Sequence, residues 1–254
     1  MRATGWFLLA LLLSGCGTTS NFRMAEYRAQ EPEPPQPQGY CGERLDASVG
    51  VQLSLVRQQR ARGQLFSALA SLDALADETP TYRLLRADIL REMGRFDDAR
   101  EQYAALADSC LAGQALHGLG RIDAQEQRPS MALARLRAAV TRIPTDADLR
   151  NDLGFLLLAM GQDEPARREL LTALELDSGH GAAARNLWFL LLKNNENDAA
   201  RLLAGRFGWS AQEEQQYRSA VARFTPSMQE PCDEPTLFSG PVDNGSGAGA
   251  GAGG

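Results

Sequence analysis

Five alanines recur along the 254-residue chain at a nearly constant interval. Ala68, Ala99, Ala132, Ala166 and Ala200 are separated by 31, 33, 34 and 34 residues, and each lies in an amphipathic stretch beside a turn. The sequence around them is rich in Ala, Leu, Arg, Gln and Glu, which favour helices. A repeat of this length predicts stacked helical hairpins, in which small residues lie where two helices cross and each hairpin covers the apolar face of its neighbour.

The units resemble tetratricopeptide repeats, whose period is about 34 residues. The third and fourth carry a leucine–glycine pair in the first helix, Leu119-Gly120 and Leu153-Gly154, although the usual large aromatic residue is missing from both. In the fifth, Trp188 stands where a glycine or alanine is usual, which predicts a splayed or capped end. The expected fold is all-α, a tetratricopeptide-repeat (TPR) α-solenoid of about five helix pairs plus a C-terminal capping helix over about residues 210–224. The alternative, an irregular helical bundle, does not explain five alanines in register.

The N-terminus has the layout of an export signal, with Arg2, an apolar run over residues 6–13 and small residues before Cys16. Eight residues are too few to span a bilayer. The tetrapeptide Leu13-Ser14-Gly15-Cys16 resembles the lipobox of bacterial lipoproteins, which implies cleavage before Cys16 and a covalent lipid on its sulfur and amine. Gly17 in place of aspartate favours the periplasmic face of the outer membrane. The alternative is an ordinary signal peptide that ends near a cysteine.

Composition then divides the chain into four parts. We expect a signal peptide over residues 1–15, a lipid-anchored Pro-rich linker over 16–40, the TPR domain over 41–230 and a Gly/Ala-rich tail over 231–254. The tail lacks the apolar residues that a packed structure needs, and we expect it to be disordered.

Three cysteines other than Cys16 are candidates for a disulfide, and an oxidising periplasm permits one bond among them. Cys41 with Cys110 is the favoured pair, because both should lie on the same edge of the stack. Cys41 with Cys232 and three free thiols remain open. A metal site is not expected, since no two cysteines have ligand spacing and the histidines lie elsewhere.

Charge and motifs exclude several classes of function. The formal charge is −6, with both signs mixed along the chain, so no basic patch indicates nucleic acid. Neighbouring acids such as Asp97-Asp98 diverge on a helix, and no phosphate loop or nucleophile motif is present. We therefore expect no enzyme activity, no cofactor beyond the lipid and no small-molecule substrate.

The expected binding surface is the concave face, which the first helix of each pair forms. Arginines dominate the first three units and apolar residues the last two, which predicts a groove for a helical or extended segment of another envelope protein. The alternative is that Phe155 and Phe189 pack against neighbouring helices or the capping helix. The residues predicted to face the groove are Leu53, Arg57, Leu84, Arg91, His117, Arg121, Asn151, Phe155, Leu158, Arg185, Phe189 and Leu192.

The stretch over residues 151–157, followed by Gly161, residues 166–171 and residues 184–187, resembles the TadD-type lipoprotein of the tight-adherence (Tad/Flp) pilus. That resemblance implies a pilotin, which helps the outer-membrane secretin of the pilus to reach the membrane and assemble. Two alternatives stay open: a pilotin for a type IV pilus or type II secretion secretin, and a periplasmic adaptor lipoprotein that recruits murein hydrolases or proteases. The oligomeric state is not set by the sequence.

Overall fold

The computed structural model describes residues 37–75 and 78–228. The predicted signal peptide, Cys16, Cys232 and the tail from residue 231 lie outside the described residues. Within them, every named element is an α-helix, and the helices follow one another as antiparallel pairs. Their bounds are α1 Ala47–Ala61, α2 Leu65–Asp73, α3 Pro80–Glu92, α4 Phe96–Ala104, α5 Ala112–Gln125, α6 Pro129–Arg142, α7 Ala147–Ala159, α8 Asp163–Leu176, α9 Gly181–Lys193, α10 Asn197–Phe207 and α11 Ala211–Arg223.

The repeated alanines lie where the sequence pattern predicts. All five are in the second helix of a pair, and none is more than 2% exposed. Gly154 shows why small residues are needed at the crossing: a Cβ atom there would lie 2.8 Å from Leu170 Cγ of the partner helix. The five-pair α-solenoid and its C-terminal capping helix are therefore confirmed.

A second register runs parallel to the alanines. The turn within each pair contains one residue with positive φ, five positions before the alanine of that pair. A left-handed residue ends a helix by turning the chain away from its axis, and glycine adopts this conformation most easily. The five residues are Gly63, Gly94, Gln127, Gly161 and Asn195.

The apolar core forms three clusters along the solenoid. The first joins α1 to α5, the second centres on α6 and α7, and the third joins α8, α9 and α10. Trp188 is fully buried in the third, where its ring centroid lies 4.5 Å from Trp209 and 4.6 Å from Tyr217 of α11. The tryptophan thus takes the place of a small residue and provides the surface on which the capping helix rests.

Both ends of the described chain add to the solenoid. Gln38 pairs with Arg44 in an isolated antiparallel bridge, and Tyr40 forms hydrogen bonds with Arg57 of α1 and Thr81 of α3. Part of the segment that composition places in the linker therefore contacts the first helices. At the other end, residues 224–228 continue beyond α11 and return to α7. Among residues 37–75 and 78–228, no helix is both long enough and apolar enough to cross a membrane.

Candidate functional site

Among the clefts on the concave surface of the described residues, which α1, α3, α5, α7 and α9 form, three differ in chemistry. We call them the polar cleft, with a volume of about 370 Å³, the central cleft, about 210 Å³, and the apolar cleft, about 430 Å³. They follow one another from the first three repeats to the last two. The arginine-rich repeats therefore form the polar cleft, and the repeats with apolar side chains form the apolar cleft.

The polar cleft carries both signs of charge. Gln114 also lines it, and its Oε1 atom is buried without a hydrogen-bond partner in the part of the chain that the structure describes. A buried acceptor of this kind is costly unless something donates to it. The residues that line the polar cleft are Tyr40, Arg60, Leu84, Asp88, Arg91, Leu111, Gln114, His117, Gly118, Arg121, Asp146 and Asp148.

Two arginines and a tyrosine hold the floor of the polar cleft. Arg60 forms ion pairs with Asp88 at 2.9 Å and with Glu92 at 2.7 Å, which join α1 to α3. The Tyr103 hydroxyl donates to Asp88 at 2.6 Å and accepts from Arg91 Nε at 3.4 Å. Burial, aided by the charge of Asp88, raises the pKa of Tyr103, so its hydroxyl stays protonated and remains a donor.

Between the polar and central clefts, Asp152 of α7 contacts a histidine and an arginine of α5. His117 Nε2 lies 2.8 Å from Asp152 Oδ2, and Arg121 Nε lies 3.4 Å from the same atom. Burial favours a higher pKa for Asp152, but the hydrogen bond with His117 and the charge of Arg121 outweigh it and lower the pKa. The carboxylate therefore stays charged and holds the side chains of His117 and Arg121 at the groove.

Tyr40 forms one wall of the polar cleft, and a disulfide holds it there. Cys41 and Cys110 are bonded, with their Cα atoms 5.7 Å apart, which ties the N-terminal segment to the loop between α4 and α5. The Tyr40 hydroxyl accepts from Arg57 Nε at 3.1 Å, and the guanidinium carbon lies 4.9 Å from the ring centroid. Tyr40 N donates to Thr81 Oγ1 at 2.6 Å.

The apolar cleft lies between α7 and α9 on one side and α11 with the residues that follow it on the other. Phe155, Leu158 and Phe189 line its floor, and Phe155 remains 53% exposed. Phe189 meets Phe224 edge to face, with centroids 5.2 Å apart. Phe224, which follows the capping helix, therefore covers Phe189, as the alternative interpretation of the sequence expected. Phe155 stays open to solvent.

The structure brings most of the predicted groove residues to the clefts and assigns the others different surroundings. Leu53 and Leu192 are 0% and 3% exposed and pack into the cores, so a partner cannot reach them. Arg57 contacts Tyr40, and Asn151 accepts from Asn186 Nδ2 at 2.9 Å. The predicted residues that line a cleft are Leu84, Arg91, His117, Arg121, Phe155, Leu158, Arg185 and Phe189.

Sequence reasoning missed the acidic side of the groove. Asp148 lines the polar cleft and Asp152 the central one, although neither was among the residues predicted to face the groove. A signal was available, because these aspartates are four residues apart on one helix and therefore share a face. The same spacing separates His117 and Arg121 on the preceding first helix. In the described residues, no group of three or more His, Cys, Asp or Glu side chains is arranged to hold a metal ion.

These features define a class of protein: a helical-hairpin solenoid with a concave binding surface. Residues 123–187 match the family model described as Tetratricopeptide repeat. The protein described as "TPR repeat-containing protein PA4299" from Pseudomonas aeruginosa is 38% identical over 164 residues, which cover 64% of this chain and 66% of that protein. Residues 123–187 thus carry tetratricopeptide repeats, and the described chain has the fold of a TPR α-solenoid, which is typical of scaffolds for protein–protein interaction.

One solved structure supports the same fold. It is described as "Functional Characterization of Pseudomonas Aeruginosa pilF" and has a TM-score of 0.54 at 20% identity, covering 67% of this chain and 87% of that chain. Another, "Crystal structure of YrrB: a TPR protein with an unusual peptide-binding site", has a TM-score of 0.46 at 19% identity, covering 68% and 91%. At 20% identity, the similarity to the first of these structures shows a shared fold and nothing about function.

Proposed function

We propose that this protein is a lipid-anchored TPR scaffold of the outer membrane that acts as a pilotin for the secretin of a Tad/Flp pilus. The lipid on Cys16 would keep it at the membrane, and the groove would hold a segment of the secretin during assembly. The observation that carries the proposal is the groove itself, in which charged and apolar clefts adjoin on one concave surface.

The clefts define the chemistry of the segment. The polar cleft presents both aspartates and arginines, so it suits a segment with mixed charges. Phe155 offers an exposed aromatic face to an apolar residue. A segment with a polar half and an apolar half therefore matches the groove in one orientation, which supports a specific partner.

The partner is tested by pull-down of the full lipidated chain from detergent-solubilised envelopes, with bound secretin detected by immunoblot. Phe155→Glu and Arg121→Glu change exposed groove residues, so both variants should fold and lose the secretin. Leu158→Glu is unsuitable, because Leu158 is only 4% exposed and a buried charge would unfold the protein.

Phe66→Glu is the matched control. Phe66 is 81% exposed on α2, a second helix outside the groove, so this variant should retain the secretin. Recovery of hydrolases or proteases in place of the secretin would move the function to an envelope adaptor. Equal recovery by all folded variants would mean that the concave face is not the binding surface.

The membrane anchor is tested separately. Cys16→Ser removes the sulfur that the lipid would modify, so the variant should lose metabolic labelling with palmitate and should leave the outer-membrane fraction. Unchanged fractionation of Cys16→Ser would contradict lipid anchoring while leaving the groove proposal intact.

A further inference from the structure

The end of the described chain packs differently from the rest of the solenoid. We call residues 210–228 the C-terminal strap; it consists of Ser210, α11 and the extended residues 224–228. Each of the other ten described helices contains buried residues, whereas α11 contains none. Its own helix is stabilised locally, because Ser210 and Glu213 form a capping box. The helix of the strap therefore has a local cap of its own, and its contact with the core is made by the partly buried Tyr217 and Val221.

The strap makes the contacts expected of a bound peptide. Phe224 packs edge to face on Phe189 of the groove floor. The backbone N–H groups of Ser227 and Met228 donate to the carbonyl oxygen of Ala159, the last residue of α7, at 3.1 and 3.3 Å. Met228 lines both the apolar and the central clefts. An aromatic anchor, backbone hydrogen bonds and a second apolar anchor four residues later are together a peptide-like mode of binding.

The strap fits the groove loosely. The apolar cleft of about 430 Å³ remains between the strap and the floor, and Phe155 beside it stays half exposed. This cleft is open to solvent, so the strap leaves part of the groove floor uncovered. The N-terminal part of the strap is held by an ion pair of 3.5 Å between Glu213 and Arg185, the packing of Tyr217 on Trp188, and a hydrogen bond of 2.8 Å from Arg218 to Asn197. Arg185 and Glu213 are both partly exposed. A partly exposed pair contributes little to stability.

We propose that the strap is a resident ligand of the apolar half of the groove, and that a partner binds there by replacing it. The partner segment would then share the chemistry of the strap: bulky apolar residues four positions apart, in the places of Phe224 and Met228, and an acidic residue for Arg185. This inference rests on the proposed function only in taking the groove as the partner site.

The replacement is tested without any envelope protein, using a fluorescein-labelled peptide of residues 210–228 as the probe. The hosts are the full wild-type chain, the double variant Phe224→Ala/Met228→Ala and the control Gln216→Ala, which changes an exposed strap residue. The double variant weakens the resident strap and leaves the floor intact. The peptide should bind it at least about tenfold more tightly than wild type or Gln216→Ala.

Two further measurements make the result decisive. Hydrogen exchange of residues 211–228 in the wild-type chain should be faster than that of α9, and faster still in the double variant, with far-UV circular dichroism unchanged. A peptide that itself carries both alanines should not bind. Equal affinity for all hosts, no binding to the double variant, or wild-type exchange in the strap as slow as in α9 would overturn the proposal. Because no secretin is used, failure of the pull-down leaves this result standing, and the reverse also holds.

Discussion

Gln127 has a backbone conformation that its side chain disfavours. It occupies the left-handed position of the α5–α6 turn with φ of 57°, where three of the other four turns have glycine. A side chain at this position has a cost of about 1 kcal/mol, which glycine avoids. We therefore expect Gln127→Gly to raise the free energy of unfolding by about 0.5–1 kcal/mol, measured by urea denaturation.

The matched control changes the same residue type where glycine is unfavourable. Gln102 lies inside α4, so Gln102→Gly should lower the free energy of unfolding by about 1 kcal/mol. Asn195 also has positive φ, but asparagine tolerates this conformation, and Asn195→Gly should have a smaller effect than Gln127→Gly. Destabilisation by Gln127→Gly would show that its side chain has a role in the turn.

Asp152 gives the protein a definite pH dependence. Its pKa in the native state lies below the ordinary value of 3.8, since His117 and Arg121 outweigh the effect of burial. A lowered carboxyl pKa stabilises the fold above the pKa of the unfolded chain, and this stabilisation is lost as the pH falls through the native pKa. Asp152→Asn should therefore lower the free energy of unfolding by about 1–2 kcal/mol at neutral pH. The difference from wild type should disappear in acid.

Urea denaturation at a series of pH values measures this difference. Asp108→Asn is the control, because Asp108 is exposed in the loop between α4 and α5 and lies outside the three groove clefts. Its curve should follow that of wild type throughout. A difference for Asp152→Asn that stays constant from neutral to acid pH would place its cause in packing instead of charge.

At the scale of elements, the disulfide holds the N-terminal segment to the second repeat. Cys41 and Cys110 are 69 residues apart in sequence, so their bond restricts the unfolded chain considerably. A disulfide that closes a loop in the unfolded chain typically stabilises the folded protein by about 2–4 kcal/mol. We expect Cys110→Ser to lower the free energy of unfolding by that amount and to increase proteolysis around residues 37–46.

A reductant separates the bond from the packing of the side chain. Dithiothreitol should destabilise the wild-type chain to the level of Cys110→Ser and should leave the variant unchanged. Further destabilisation of Cys110→Ser by the reductant would indicate that another disulfide contributes to the fold.

The elements themselves could be predicted, because each depends on local patterns. The spacing of the alanines gave the second helices, and Tyr217, Val221 and Phe224 on one stripe gave the capping helix. The surroundings of the groove could not be predicted in the same way. Tyr40 reaches the polar cleft through contacts with Thr81 and Cys110, more than forty residues away.

Burial within a first helix was equally hard to predict. Leu53 and Leu158 are both apolar residues assigned to the groove by register, and the structure buries both while only Leu158 lines a cleft. How far a side chain of a first helix is buried depends on how that helix packs against the next repeat, which a single sequence pattern does not specify.

For the whole molecule, the three core clusters imply that stability is local. Each repeat of a solenoid contacts mainly its neighbours, so a defect should affect its own cluster more than a distant one. Trp188→Ala removes a fully buried side chain from the third cluster and should destabilise it by about 3–5 kcal/mol. Leu53→Ala is the counterpart in the first cluster, with an expected loss of about 2–5 kcal/mol.

Hydrogen exchange with mass spectrometry locates these losses. Trp188→Ala should accelerate exchange in α9 and α11 while α1 to α3 keep their wild-type rates, and Leu53→Ala should do the opposite. The strap should respond to Trp188→Ala most of all, since Tyr217 packs directly on that ring. If either variant accelerates exchange uniformly from α1 to α11, the solenoid unfolds as one cooperative unit. The strap could then open only together with the whole fold, which would make its replacement by a partner energetically much more demanding.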